Sequence, residues 1–187
     1  MVFYATNQMM WATRAWWLLR YAGHRNVRVL NGILETWPHD TSDEETAYEP
    51  AVFETQLTPG MFVSAEEVLS AMGDDEVCTV NALPFELYTG ATEVPYAKDG
   101  HITGSISHPF SELMDGHCLK PDDELKAIFA DRMTGKRLIT YCGGGVAATL
   151  NASAALLAGV EDVAVYDGSL SEWTARGLPL TAGESPG

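Results

Sequence analysis

Cysteine is scarce in this chain of 187 residues: only Cys78, Cys118 and Cys142 are present. Three thiols do not make a secreted disulfide framework, and an odd number leaves at least one without an internal bridge. Lysine and arginine are scarce as well, 11 against 26 aspartates and glutamates, for a formal net charge of -15 at pH 7. Such a field repels nucleic acid and anionic membrane over most of the surface, so neither is expected as a partner. It still admits a small anionic substrate, because one local pocket can oppose the global sign. No uncharged apolar run reaches the ~18 residues of a membrane span. The apolar start is broken by Arg14 and Arg20 and lacks the layout of a signal peptide. The expected location is the cytoplasm.

What is present is an ordinary globular mix, 46% apolar and 20% charged. The length suits one generous domain, or one domain plus a fragment of another. Val2 to Tyr4, Val27 to Leu30, Val77 to Val80, Ser105 to His108, Leu138 to Tyr141 and Val163 to Tyr166 read as strands. Trp11 to Tyr21, Phe85 to Tyr88, Asp122 to Ala130 and Val146 to Leu157 read as helices. Ser64-Ala-Glu-Glu67 is a capping box that opens a further helix running to about Met72. Asn31-Gly32 is expected to close the second strand, Leu34 to Trp37 to form a helical turn, and Ser169 to cap the turn holding Trp173. The acidic, turn-rich stretch 39–59 reads as a linker. Strands alternating with helices argue for an α/β layer fold with a mainly parallel sheet.

An internal repeat organises the chain. Shifting the first 37 residues by 136 positions, without a gap, matches Ala12 to Ala148, Thr13 to Thr149, Ala22 to Ala158 and Gly23 to Gly159. It also matches Val27 to Val163, Val29 to Val165, Gly32 to Gly168, Leu34 to Leu170 and Trp37 to Trp173. This is the signature of a duplication. Thr6 falls opposite Cys142, so the early copy lacks the thiol. The early copy also lacks the α/β sequence that precedes the late one. Two strands and a helix cannot bury a full core and leave sheet edges unpaired. The early half is therefore expected to pack on the complete domain, to borrow from another chain as a homo-oligomer or from a missing N-terminal half-domain, or to be poorly ordered.

Cys142 directly follows one strand and precedes a helix. Gly143, Gly144 and Gly145 can turn their backbone amides inward without side-chain obstruction, and the helix adds the positive end of its dipole. Such a nest holds a thiolate, or an anion beside it. Cys142 is the candidate nucleophile, and Gly143, Gly144, Gly145, Val146, Ala147 and Ala148 are the candidate anion-binding residues. No second metal ligand lies near in sequence, so no metal is expected. A Cys-X5-Arg phosphatase needs an arginine where this chain has Ala148, which disfavours phosphoryl transfer. His101, His108 and Asp167 read as structural, Trp11, Trp16 and Trp17 as packing residues, Cys78 as core and Cys118 as an exposed turn residue. Arg132, Lys136 and Arg137 read as a solvated basic patch. Arg14 and Arg20 are placed near the interface of the repeat units, where they restore positive potential.

Thr140-Tyr-Cys-Gly-Gly-Gly-Val-Ala-Ala-Thr149 resembles the active-site loop of the rhodanese family. Gly100-His-Ile-Thr-Gly-Ser-Ile-Ser-His-Pro109 and Val163-Ala-Val-Tyr-Asp-Gly-Ser-Leu-Ser-Glu-Trp173 are similar to two further signatures of that family. The early Trp11 to Gly32 segment looks like the close of the non-catalytic first domain in two-domain thiosulfate and 3-mercaptopyruvate sulfurtransferases. The resemblance implies a three-layer rhodanese-like fold, with residues 1–38 as half of a non-catalytic copy and 60–187 as a complete catalytic-type domain. It implies an enzyme that moves sulfur from thiosulfate or 3-mercaptopyruvate, through a Cys142 persulfide, to cyanide, a thiol or a protein acceptor, with no cofactor. The family's Asp-x-Arg is matched by Asn81-Ala-Leu83, and a following basic position offers Phe85, Glu86, Leu87 and Tyr88. Gly144 stands where 3-mercaptopyruvate enzymes carry serine, and Ser107 where the family has asparagine. These departures imply weaker binding of anionic donors. They leave a weakly active or non-enzymatic sulfur-carrier or protein-binding module as the alternative.

Overall fold

The computed structural model describes residues 1–92, 94–95, 100–133 and 135–187. The chain runs β1 (Val2–Ala5), α1 (Met10–Tyr21) and β2 (Arg28–Ile33), then a 3-10 turn at Leu34–Thr36. Next come β3 (Phe62–Val63), α2 (Ala65–Ala71), β4 (Val77–Asn81), α3 (Phe85–Tyr88), β5 (His101–Ile102) and β6 (Ile106–Ser107). A 3-10 turn at Phe110–Leu113 leads to β7 (Met114–Asp115), β8 (Cys118–Leu119), α4 (Asp122–Arg132) and β9 (Arg137–Tyr141). The chain closes with α5 (Val146–Leu157), β10 (Asp162–Tyr166), α6 (Ser169–Ala175) and β11 (Leu180–Thr181). Between Thr36 and Phe62 there is no helix or strand.

The main sheet has the order β3-β10-β9-β4-β6, and every neighbouring pair is parallel. Central β9 buries Leu138, Ile139, Thr140 and Tyr141 in succession. That continuous burial is what a parallel strand covered on both faces requires. Helix α5 lies on β9 and β10, and α4 packs on α5. Small residues Ala148, Ala152, Ala154 and Ala155 are fully buried and allow this close approach. The result is the three-layer α/β fold with a mainly parallel sheet that the sequence leads one to expect. The capping box is present too: Ser64 Oγ accepts the Glu67 amide at 3.2 Å, and Glu67 Oε2 accepts the Ser64 amide at 2.9 Å.

The early copy is ordered as β1-α1-β2, the same sequence of elements as β9-α5-β10, and β1 and β2 pair in parallel. Gly23 and Gly159 follow the two repeat helices with φ of +95° and +93°, the left-handed C-terminal cap that glycine adopts freely. Helices α1 and α5 pack on each other. At their contact Thr13 Oγ1 and Thr149 Oγ1 lie 3.0 Å apart. These are equivalent residues under the 136-residue shift, and a contact between equivalent positions marks a local two-fold relation. Among the described residues β1 pairs only with β2.

Three local expectations are corrected. Strand β2 continues through Asn31-Gly32 to Ile33. Asn31 does not turn the chain because its side chain grips β8, accepting the Leu119 amide at 2.7 Å and donating to the Leu119 carbonyl at 3.4 Å. Cys118 is half-buried in β8, with its thiol directed at the Asn31 carbonyl, and is not an exposed turn residue. Trp11 is 58% exposed and does not pack in the core, whereas Trp17 is buried and donates to the Met61 carbonyl at 3.2 Å. No helix of the described residues is long and apolar enough to cross a membrane.

His108 is buried against Phe129, with ring centroids 5.2 Å apart. Burial, with the nearby charges of Arg132 and Lys120, pushes its pKa down to about 4. The native ring stays neutral while the unfolded chain takes up a proton as pH falls below the ordinary histidine value. Its contribution is therefore fully present above about pH 6.5 and declines toward pH 4, by on the order of 3 kcal/mol. Urea midpoints measured at neutral and mildly acid pH are expected to diverge more for the native chain than for His108→Gln.

Candidate active site

Cys142 stands at the C-terminal end of β9, the central strand, where ligand sites of parallel α/β sheets lie. It is 3% exposed. The chain then turns through Gly143, Gly144 and Gly145 into α5. Gly145 precedes the helix with φ of +75°. A Cβ there would meet both the backbone and carboxylate oxygens of Asp167 at 2.7 Å, and Arg14 at 3.3 Å. The twelve residues of α5 then present their unpaired first amides toward the loop.

The start of α6 forms the rear of this loop. Ser169 Oγ accepts the Cys142 amide at 3.1 Å and the Gly145 amide at 3.0 Å, and donates to the Tyr166 carbonyl at 2.9 Å. The Leu170 amide binds the Cys142 carbonyl at 3.0 Å. The Ser171 amide and hydroxyl bind the Gly143 carbonyl at 3.0 and 2.6 Å. Ser169 therefore does not serve as the helix cap expected from its place after Asp167-Gly168. It opens α6 with φ of +50° and is the one non-glycine with positive φ among the described residues. The sequence points to Ser169 only as a cap; its place behind the Cys142 loop follows from β10 lying beside β9, which brings the turn after β10 against the turn after β9.

That geometry separates two substitutions. Ser169→Ala keeps the strained backbone and leaves two buried amides without their acceptor, at a cost of about 2–4 kcal/mol. Ser169→Gly relieves the left-handed backbone and is expected to cost about 1 kcal/mol less. Chemical denaturation of the two variants checks the order.

Strand β4 supplies the neighbouring wall. Asn81 Oδ1 accepts the Leu83 amide at 2.8 Å, and its Nδ2 donates to the Tyr141 hydroxyl at 3.1 Å. That hydroxyl also accepts the Ile102 amide at 3.0 Å and lies 2.7 Å from Ser105 Oγ. Since Ser105 donates to the Ile102 carbonyl at 2.7 Å, Tyr141 donates to Ser105. Burial pushes the Tyr141 phenol well above its ordinary range, so it stays a neutral structural hub. Asn81 is buried and held in this network, and Leu83 is 7% exposed within the core.

The loop residues named from the sequence come together as one arc, but with different duties. Gly143 is held by its carbonyl, Gly144 is exposed, and the Gly145 amide is directed at Ser169. Among the described residues, the amides of Gly143 and Gly144 meet no protein acceptor. Those of Val146, Ala147 and Ala148 lie in the first turn of α5, where helix geometry offers no partner. Arg14 reaches the loop from α1, donating to the Gly145 carbonyl at 3.3 Å and pairing with the Asp167 carboxylate. No group of three His, Cys, Asp or Glu side chains suited to a metal ion occurs among the described residues.

A rhodanese-like domain model matches residues 64–176. The chain belongs to the rhodanese family. Rat thiosulfate sulfurtransferase is 39% identical over 181 residues, which span 91% of this chain and 61% of that protein. The 3-mercaptopyruvate sulfurtransferase of Escherichia coli is 34% identical over 188 residues, covering 96% of this chain and 67% of that one. The rhodanese fold of this chain also aligns with the anaerobic ergothioneine biosynthesis enzyme from Chlorobium limicola in complex with trimethyl histidine. The TM-score is 0.84 at 22% identity, over 97% of this chain and 51% of the other.

Proposed function

We propose that this chain moves sulfane sulfur through a persulfide on Cys142. The Cys142 thiolate attacks the outer sulfur of thiosulfate, the S–S bond breaks, and sulfite leaves with the bonding pair. With 3-mercaptopyruvate, attack on its sulfur breaks the C–S bond, and the carbon keeps the pair and takes up the thiol proton to give pyruvate. Cyanide, a thiol or a protein acceptor then attacks the outer sulfur, and the Cys142 thiolate returns. The observation that carries this reading is the position of Cys142 at the end of the central parallel strand, inside an arc of backbone amides at the start of α5. The amides of Gly143, Gly144, Val146, Ala147 and Ala148 hold the persulfide and the charge that develops on it. In this reading residues 60–187 form the catalytic-type unit, and 1–38 a partial copy joined by the 39–59 linker. The reading is supported by the internal repeat and by the rhodanese match.

Leu83 and Glu86 favour a second reading, a weakly active sulfur carrier. Leu83 is buried where the resemblance implies a cation, and exposed Glu86 adds a negative charge. Turnover separates the two readings. The enzyme reading expects thiocyanate from thiosulfate plus cyanide, or pyruvate from 3-mercaptopyruvate plus a thiol. If Cys142 acquires sulfur but neither product accumulates, the carrier reading stands in its place.

A further inference from the structure

The repeat offers a comparison within one molecule. Thr6, Asn7, Gln8 and Met9 are the early counterparts of Cys142, Gly143, Gly144 and Gly145, and Ile33 is the counterpart of Ser169. Asn7, Gln8, Met9 and Ile33 line one cavity of about 270 Å³, and Leu150 of α5 reaches into it from the other copy. Under the 136-residue shift Leu150 corresponds to Arg14. Each repeat helix thus sends the same position across the Thr13–Thr149 contact to the other copy's loop. The position facing the loop without a thiol is leucine. The position facing the Cys142 loop is arginine.

Arg14 is set by more than a surface ion pair. Its side chain is 20% exposed, and its guanidinium carbon lies 5.6 Å from the centre of the Phe62 ring on β3. One nitrogen, Nη1, serves both the Gly145 carbonyl and the Asp167 carboxylate. Gly145 immediately precedes the helix after β9, and Asp167 begins the turn after β10. The guanidinium therefore ties together the two strand ends between which Cys142 and Ser169 are held. An exposed Arg–Asp pair alone contributes little, so the effect of this contact is geometric.

We infer that Arg14 is a positioning residue for the Cys142 loop, so that the early half-repeat acts on the site by fixing Gly145 against Asp167. This deepens the proposed sulfur transfer and rests on that reading only for its kinetic arm. Arg14 does not need to touch the donor, because its charge is met by Asp167.

Two readouts on the full chain test the inference. In Arg14→Met, amide hydrogen exchange of the 143–148 segment is expected to rise about tenfold or more, with the C-terminal half of α5 unchanged as an internal reference. Arg14→Lys, which keeps the charge but not the planar fork, is expected to recover part of this protection. The limiting rate of persulfide formation from thiosulfate is expected to fall about tenfold in Arg14→Met, with little change in the thiosulfate concentration for half-saturation. Arg14→Met/Asp167→Asn is expected to be no slower than Arg14→Met alone, because the two side chains act as one unit. Unchanged exchange in the 143–148 segment overturns the inference. So does a double variant whose rate loss is the product of the two single losses. If the unmodified chain takes up no sulfur, the functional reading fails, while hydrogen exchange still decides the role of Arg14.

Discussion

Cys142→Ser is expected to lower sulfur transfer by at least about a thousandfold, with the fold intact. A serine hydroxyl is close in size to the thiol, and the side chain sits at a position only 3% exposed, so packing changes little. The Cys142 amide and carbonyl bonds to Ser169 and Leu170 are backbone bonds on the Cys142 side and survive the change. What disappears is the proposed nucleophile: a serine hydroxyl stays protonated at neutral pH, and among the described residues no histidine is hydrogen-bonded to this position to act as its base. Cys78 lies at the far end of β4 and Cys118 in β8. Neither shares the α5 amides, so neither is expected to substitute. Thiocyanate formation and the thermal midpoint, measured on the same preparation, check both halves of the expectation.

Gly145→Ala is expected to damage stability and activity together. Its φ of +75° costs a non-glycine residue about 1–2 kcal/mol. The new methyl would also stand 2.7 Å from two oxygens of Asp167, closer than carbon and oxygen approach without a shift. One of those oxygens is backbone, so the strand end must move. A loss of about 3 kcal/mol is expected, which for a chain of this length lowers the melting temperature by roughly 6–12 °C. The same displacement breaks the Arg14 contact to the Gly145 carbonyl and the amide bond to Ser169. Gly144→Ala is the control: the nearest atom to its added Cβ, Ser171 Oγ, is 4.0 Å away. A calorimetric comparison of the two variants is expected to show a large shift for the first and a small one for the second.

The Cys142 loop was legible because its signals are local. A buried strand, a cysteine, three glycines and an alanine-rich helix follow one another without interruption. The capping box at Ser64 was legible for the same reason, since both partners lie within one helical turn. The rest of the site depends on strands meeting in space. Ser169 reaches Cys142 only because β10 pairs with β9, and sequence alone made it a plausible helix cap. The sequence places Arg14 near the interface, but its two acceptors follow from the packing of α1 on α5. The repeat held that information in the paired threonines, which no single copy reveals. Strands β7 and β8 have two residues each, too few to show any periodicity. Asn31-Gly32 looked like a turn because the chemistry that keeps it extended, the Asn31 side chain on Leu119, lies far along the chain.

The proposed function stands or falls on transferable sulfur carried by Cys142. Exposing the reduced protein to thiosulfate or 3-mercaptopyruvate, removing the donor and mapping peptides by mass spectrometry tests it most directly. The expected result is a gain of about 32 Da on the peptide containing Cys142, removed by cyanide and absent from Cys142→Ser. An unmodified Cys142 after exposure to both donors, in protein whose Cys142 is alkylated on unfolding and therefore reduced, would contradict it.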